Sequence, residues 1–274
     1  MLEYDMEKKE FIEIVKRYYN EHKRLLPWRE FIVPYHVVLS EIMLQQTQVA
    51  RIMEKFPLFI KRFPTFRSLH ESSLVDVLGE WQGMGYNRRG KYIKEIASII
   101  HTKYQDIVPD DSKILDELPG IGHATASAIV TYIYNKPEIF IETNIRRVFI
   151  HHFFKDSKEV EDSDILPLVQ ETVDRENPRE WYYAIMDYGT YLSKIVENPN
   201  RKSKHFKKQS QFEGSVRQVR GEILRLLLKK RIIKKKDLYT LLPYEESKCK
   251  IAAEDLLKEG MIGEAKGEYH ITEK

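Results

Sequence analysis

The chain has 274 residues, 42% hydrophobic and 32% charged, with 45 Lys and Arg against 42 Asp and Glu and a net charge of +3. That length holds one large domain or two ordinary ones with enough apolar material for a core. One cysteine, Cys249, excludes a disulfide framework and any Cys-based zinc or iron–sulfur site within one chain, and no apolar run reaches the ~20 residues of a membrane helix. The start, MLEYDMEKKEF, is charged and lacks the apolar stretch of a signal peptide, so an intracellular location is expected.

Helical periodicity dominates from the N-terminus. EKKEFIEIVKRYYNEH (7–22) places Phe11, Ile14, Val15 and Tyr18 on one face. Residues 35–63 read as one or two helices, broken near Pro57. SLVDVLGEWQ (73–82) and RGKYIKEIASIIHTKY (89–104) predict two more. DSKILDEL follows, with Ser112 as the expected N-cap, and then GHATASAIVTYIY, whose helix should begin near His123. IFIE (139–142) is faintly strand-like and too isolated to build a sheet on. NIRRVFIHHFF, ILPLVQETV and REWYYAIMDYGTYLSKIV continue the helical pattern.

Composition changes near residue 195. Five of the eight residues 201–208 are Lys or Arg and apolar periodicity lapses, which marks a linker or an exposed arm. Beyond it the pattern is helix, short helix, helix over 244–259, then MIGEAKGEYHIT as two short strands around a Gly-containing turn. That order suits a winged helix of ~60 residues, marginal as a free-standing domain. The expected organisation is therefore a helical domain over 1–194, a basic linker over 195–214 and a winged-helix-like domain over 215–274.

Three stretches carry candidate chemistry. In LPGIGHATASA (118–128), Gly120 and Gly122 allow positive φ and close backbone approach, just before the N–H groups of a helix N-terminus. Such a hairpin either grips a phosphate without reading a base or serves only as a tight turn between packed helices. In SEIMLQQTQV (40–49), Glu41 stands at an apolar helix start beside Ile42, Met43 and Leu44. It is either a solvent-facing carboxylate or one whose pKa is raised by desolvation so that it stays protonated as a general acid. Gln45 and Gln46 cap a helix or wedge into a base stack. In IETNIRRV (141–148), Glu142 lies just before a helix with Asn144 near its start. Either neighbouring Asn and Arg keep it ionised, or it simply complements the helix dipole.

LPWRE (26–30), PYHVVLSEIMLQQTQV (34–49), WQGMGYNRRGK (81–91), LPGIGHATASAI (118–129), ETNIRRV (142–148) and AIMDYG (184–189) occur in one order and spacing. Together they resemble the endonuclease III-like helix-hairpin-helix DNA glycosylases, and within them most of all the MutY-type adenine glycosylases. The resemblance covers roughly residues 8–193. It implies an all-α fold of two helical subdomains with the active site between them, here followed by the small winged-helix-like domain. It also implies base excision from double-stranded DNA containing a mismatch or damaged base, with the target nucleotide flipped into a pocket, by a monomer of the cytoplasm or nucleoid.

By position, Glu41 matches the family's general acid, which protonates the departing purine, and Glu142 takes the place of its catalytic Asp. Leu26, Trp28, Arg29, Ala124, Tyr183 and Asp187 match the base pocket. DNA contacts are implied at Gln45, Gln46, Thr47 and Tyr86, at the hairpin Leu118, Pro119, Gly120, Ile121 and Gly122, and at His123, Thr125, Asn144 and Arg146. In relatives a monovalent cation often completes the hairpin.

Four departures shape the expected activity. Ala124 stands where bifunctional relatives carry a Schiff-base Lys, so a monofunctional enzyme is expected. Glu142 in place of Asp moves the carboxylate by ~1.5 Å. The four-Cys iron–sulfur segment that follows the match to Tyr191 in many relatives is replaced by SKIVENPNRKSKHFKKQ, so no cluster is expected and no other cofactor is called for. Its basic run either replaces the cluster's DNA contacts or is a solvated linker. Finally, MutY-type relatives end in a larger domain that checks for 8-oxoguanine, and Tyr183 stands where many have Gln. Adenine opposite guanine or 8-oxoguanine is the expected target. Thymine or uracil opposite guanine is the alternative, and a non-catalytic DNA binder with helix 244–259 in the major groove is the rival of a different class.

Overall fold

A computed structural model describes residues 2–208 and 211–273, with side chains from Glu7 onward. In chain order the elements are α1 (Leu2–His22), α2 (Pro27–Glu30), α3 (Pro34–Leu44), α4 (Val49–Arg62), α5 (Phe66–Glu71), α6 (Leu74–Glu80) and α7 (Arg88–Tyr104). Next come α8 (Ser112–Asp116), α9 (His123–Tyr134), α10 (Thr143–Phe153), α11 (Asp162–Thr172), α12 (Pro178–Ile195) and a 3-10 turn (Pro199–Lys202). The chain ends in α13 (Val216–Lys230), β1 (Ile232–Lys234), α14 (Lys235–Leu241), α15 (Glu246–Lys258), β2 (Ile262–Ala265) and β3 (Glu268–Ile271).

Two local expectations are corrected. The break in residues 35–63 falls at 45–48, where Gln46 adopts φ +53°, and Pro57 lies inside α4. The carbonyl that Pro57 leaves without an i+4 donor belongs to Met53 on the exposed side, where water can serve it. The N-cap of α8 is Asp111, whose Oδ1 accepts from Lys113 N at 2.9 Å, while the Ser112 hydroxyl donates to Glu138 at 2.9 Å. IFIE joins no sheet, as its isolation led one to expect; it is coil that buries Phe140.

The chain packs as two compact units. One contains α1, α2 and α8 to α12. Its centre is α12, with Trp181, Tyr182 and Ile185 buried. Phe11 of α1 meets Phe149 of α10 at 5.1 Å and the edge of Trp181 at 6.0 Å. The chain after α12 stays tied to this unit: Asn200 donates to the Thr143 carbonyl at 3.0 Å, and Ser203 bridges Val160. Residues 204–208, most of the basic run, are exposed.

The other unit contains α3 to α7 and the C-terminal elements. Helix α3 is apolar around most of its surface and buries Val37, Val38, Leu39 and Ile42 completely or nearly so, as expected of a helix packed on several sides. The C-terminal sheet is antiparallel in the order β1-β3-β2, with Ile233 opposite Tyr269 and Gly263 opposite His270. Lys266 and Gly267, both at positive φ, turn β2 into β3. Helix, strand, two helices and a hairpin give the winged-helix order. Its apolar cluster, built on Val219, Ile223, Leu227, Leu238 and Leu256, also includes Leu74 and Leu78 of α6. A module too small to bury a core alone completes it with another element's leucines. Among the described residues, no helix is long and apolar enough to cross a membrane.

Candidate active site and nucleic-acid interface

Glu41 lies in the last turn of α3, not at a helix start as the sequence suggested. It is half-buried beside the buried Ile42 and Met43. A carboxylate at a helix C-terminus opposes the macrodipole, so helix stability does not account for its presence.

The end of α3 has no glycine cap. Its carbonyls are taken instead by Arg89, whose Nη1 donates to Ile42 O at 3.0 Å, to Met43 O at 2.7 Å and to the Gln45 carbonyl. Nη2 donates to Thr47 Oγ1 at 2.7 Å and to Gly85 O at 3.1 Å. Burial pulls the guanidinium down to about 10, still charged at neutral pH. One arginine therefore braces two loops, 45–48 and 82–87, and each presents a residue at positive φ, Gln46 and Tyr86. A left-handed conformation in two bulky side chains is backbone strain held by surrounding bonds.

The hairpin expected to approach a phosphate has the required backbone. Gly120 sits at φ +72°, and a Cβ there would lie 2.1 Å from the Tyr92 ring. Its carbonyl accepts from Gln45 Nε2 at 3.0 Å. Leu118 and Ile121 are buried, Pro119 half-buried. Gly122 caps α9 with no side-chain bond, and nothing lies within 4 Å of a Cβ built on it. The first turn of α9 carries no acidic residue; His123 is exposed, Ala124 and Thr125 half-buried. The polar atoms the hairpin would offer a monovalent cation are backbone carbonyls, hard oxygen donors that suit one.

In the other unit, Asp187 is almost wholly buried and accepts from Arg24 Nε at 2.7 Å, Arg24 N at 2.8 Å and Arg29 Nη1 at 2.8 Å. The Arg29 guanidinium also lies 4.2 Å over the Tyr183 ring, which stacks on Tyr132 at 4.7 Å. Arg29, Tyr183 and Asp187 are thus brought together. Leu26 and Trp28 are buried in the same stretch, where Pro27 opens α2 with its preset φ.

Glu142 is the N-cap of α10. Its Oε1 accepts from Asn144 N at 2.6 Å and Ile145 N at 3.0 Å. Burial pushes the carboxyl up, while these two N–H groups and the charges of Arg147 and Arg146 restrain it. The Asn144 side chain does not serve the carboxylate: its Oδ1 accepts from Arg147 at 2.6 Å. Arg146 forms a two-pronged pair with Asp162 at 2.7 and 2.6 Å. Helix α10 sits this close to α12 because of Gly189, where a Cβ would fall 2.7 Å from Asn144 Cβ.

Sequence reasoning missed Arg89, Arg24, Arg147 and Gly189. Arg89, Arg147 and Gly189 lay inside quoted motifs, and a helix ending in Leu44-Gln45 with no glycine was the signal that another group had to meet its carbonyls. Among the described residues, no group of three or more His, Cys, Asp or Glu is arranged to hold a metal ion, and Cys249 is buried.

A helical body whose Gly120 hairpin runs into α9, followed by a winged helix, defines the class of fold. Residues 39–166 match the model of the HhH-GPD superfamily of base excision DNA repair proteins. It is 37% identical over 179 residues to the adenine DNA glycosylase of Mycobacterium tuberculosis (strain CDC 1551 / Oshkosh), covering 63% of this chain and 58% of that relative. The chain therefore spans a little over half of that relative's length. In fold it is similar to a thermostable thymine-DNA glycosylase, with TM-score 0.65 and 21% identity over 72% of this chain and 93% of the other. It is similar also to endonuclease III in a trapped covalent DNA intermediate, with TM-score 0.57 and 17% identity over 74% and 88%.

Proposed function

We propose that the protein is a monofunctional DNA N-glycosylase of base excision repair, acting on duplex DNA with a mispaired or damaged base. Adenine opposite guanine or 8-oxoguanine is the target this reading favours. The observation that carries it is that Glu41, the hairpin and Glu142 all fall inside the one matched domain, 39–166. Glu41 is the general acid for the departing base. Glu142, pushed up by burial yet still held by two N–H donors, is the carboxylate that steadies the sugar and accepts a proton from water. The longer side chain that distinguishes it from an aspartate is spent in folding back to cap α10. The hairpin N–H groups and the carbonyls that would hold a cation grip a phosphate. Ala124 supplies no amine, so the reaction stops at base release. With one cysteine in the chain, the enzyme works without an iron–sulfur cluster.

A second reading, removal of thymine or uracil opposite guanine, is favoured by Tyr183, which brings a ring where an amide would meet an adenine edge. Single-turnover excision on duplexes carrying A opposite 8-oxoguanine, A opposite G, T opposite G and U opposite G, each with and without hot alkali, separates the two. The first reading expects strand cleavage at adenine only after alkali. Glu41→Gln should abolish base release with DNA affinity kept; full turnover in that variant would remove the acid from the scheme.

A further inference from the structure

Residues 198–204 lie against α10, the helix that Glu142 caps. Val160 N donates to Lys202 O at 2.8 Å and Lys204 N to Val160 O at 3.1 Å, which ties the segment to the chain just before α11. Lys202 Nζ donates to Phe154 O at 3.1 Å and to the Lys155 carbonyl, so it serves the C-terminal end of α10. At the other end of the helix, Asn200 Nδ2 donates to Thr143 O at 3.0 Å. Asn200 is itself held in a turn that Pro199 opens, with its backbone N–H donating to Asn198 Oδ1 at 3.2 Å.

Asn200 is only 5% exposed, and its Oδ1 is buried with no hydrogen-bond partner among the described residues. A buried amide with one end unserved costs stability. A leucine of similar volume would fill the place without that cost. What the asparagine supplies and a leucine cannot is a donor in a fixed direction.

That donor reaches further than one carbonyl. The Thr143 C=O and the Asn144 N–H belong to one planar peptide unit. This N–H is the shorter of the two bonds to Glu142 Oε1, at 2.6 Å against 3.0 Å from Ile145. Holding the oxygen of the unit fixes where its N–H points. A bond to the oxygen also polarises the amide, so the N–H becomes a stronger donor, as along any chain of hydrogen bonds.

We propose that Asn200 is a positioning residue for Glu142, acting through the Thr143–Asn144 peptide unit to hold the carboxylate in its working place. The inference rests on the reading of Glu142 as the carboxylate that steadies the sugar. Asn200 touches no DNA in this scheme; it sets the direction of one N–H, and that N–H sets the carboxylate.

The test uses the full chain with Asn200→Leu, and with Asn200→Ala as a second variant that adds no bulk should the leucine fail to fold. Single-turnover excision should fall roughly tenfold or more, as expected when a reacting group is slightly misplaced. Affinity for a duplex carrying a stable abasic analogue should stay as in wild type. In a Glu142→Gln background the same substitution should slow excision further by less than about twofold, because residues acting as a unit are not additive. Hydrogen exchange at the Asn144 amide, read by NMR without DNA, should speed up in the Asn200 variants. Excision unchanged at position 200, equal slowing in both backgrounds, or an Asn144 amide as protected as in wild type would overturn the inference. Faster Asn144 exchange in a protein whose Glu142→Gln variant excises like wild type would uphold the relay to the carboxylate and remove only the reading of Glu142.

Discussion

Arg89 concentrates more structural consequence than any residue the motifs singled out for chemistry. It closes a helix end and holds two loops from one guanidinium. Arg89→Met removes the donors and leaves buried carbonyls unserved, at a cost of about 3 kcal/mol or more, to be read in denaturant unfolding. The two hairpin glycines make a sharper pair. Gly120→Ala meets both a positive φ and the Tyr92 ring and should destabilise the protein and weaken DNA binding together. Gly122→Ala meets open space at φ −111° and should leave stability nearly unchanged. Glu142 separates capping from chemistry: Glu142→Ala should cost about 1 kcal/mol of stability through the lost cap. Glu142→Gln keeps an acceptor for the two N–H groups, so it should melt near wild type while excision falls as steeply as in the Ala variant. Equal excision in wild type and the Gln variant would assign the carboxylate to capping alone.

At the scale of elements, periodicity was enough to find the longer helices and the hairpin of the winged helix, though not the short α2 and α5, because burial on one face leaves its spacing in the chain. Ends were harder. The stop of α3 depends on Arg89, far away in the sequence, and the break expected at Pro57 failed because the lost bond faces water. The motifs located Glu41, the hairpin and Glu142, but not which atoms they meet: Asn144 contributes its backbone N–H, and its side chain goes to Arg147. The α10–α12 crossing was invisible for the same reason, since a glycine in a helix announces close approach without naming its partner. Gly189→Ala should push α10 away from α12 and shift its N-terminal turn. The expected outcome is a loss of excision larger than the loss in DNA affinity, measured on the same duplex.

At the scale of the whole molecule, two groups make the fold acid-sensitive. Burial, with His151 and Lys155 nearby, lowers His152 to about 4, whereas an unfolded histidine titrates near ~6.5. Unfolding therefore takes up a proton between these values, and this contribution is complete above the upper one and lost as pH falls to the lower. Burial would raise Glu259, but the hydrogen bonds and charges of Arg88 and Arg220 outweigh it and hold the carboxyl at about 2. Its contribution is full above the unfolded value of ~4.3 and disappears toward about 2. Melting temperature should thus fall in two stages on acidification. His152→Phe should flatten the first, and Glu259→Gln should remove the second while lowering stability at neutral pH.

Leu74 and Leu78, which belong to α6 and yet complete the apolar cluster of the winged helix, have a consequence for descent. A tail joined by a mere tether can be exchanged between lineages by a single recombination. This one cannot be replaced without stranding two leucines on the body it left, or inherited by another chain that lacks them. Whatever the tail does, a change on its apolar face and a change at Leu74 or Leu78 act on one core.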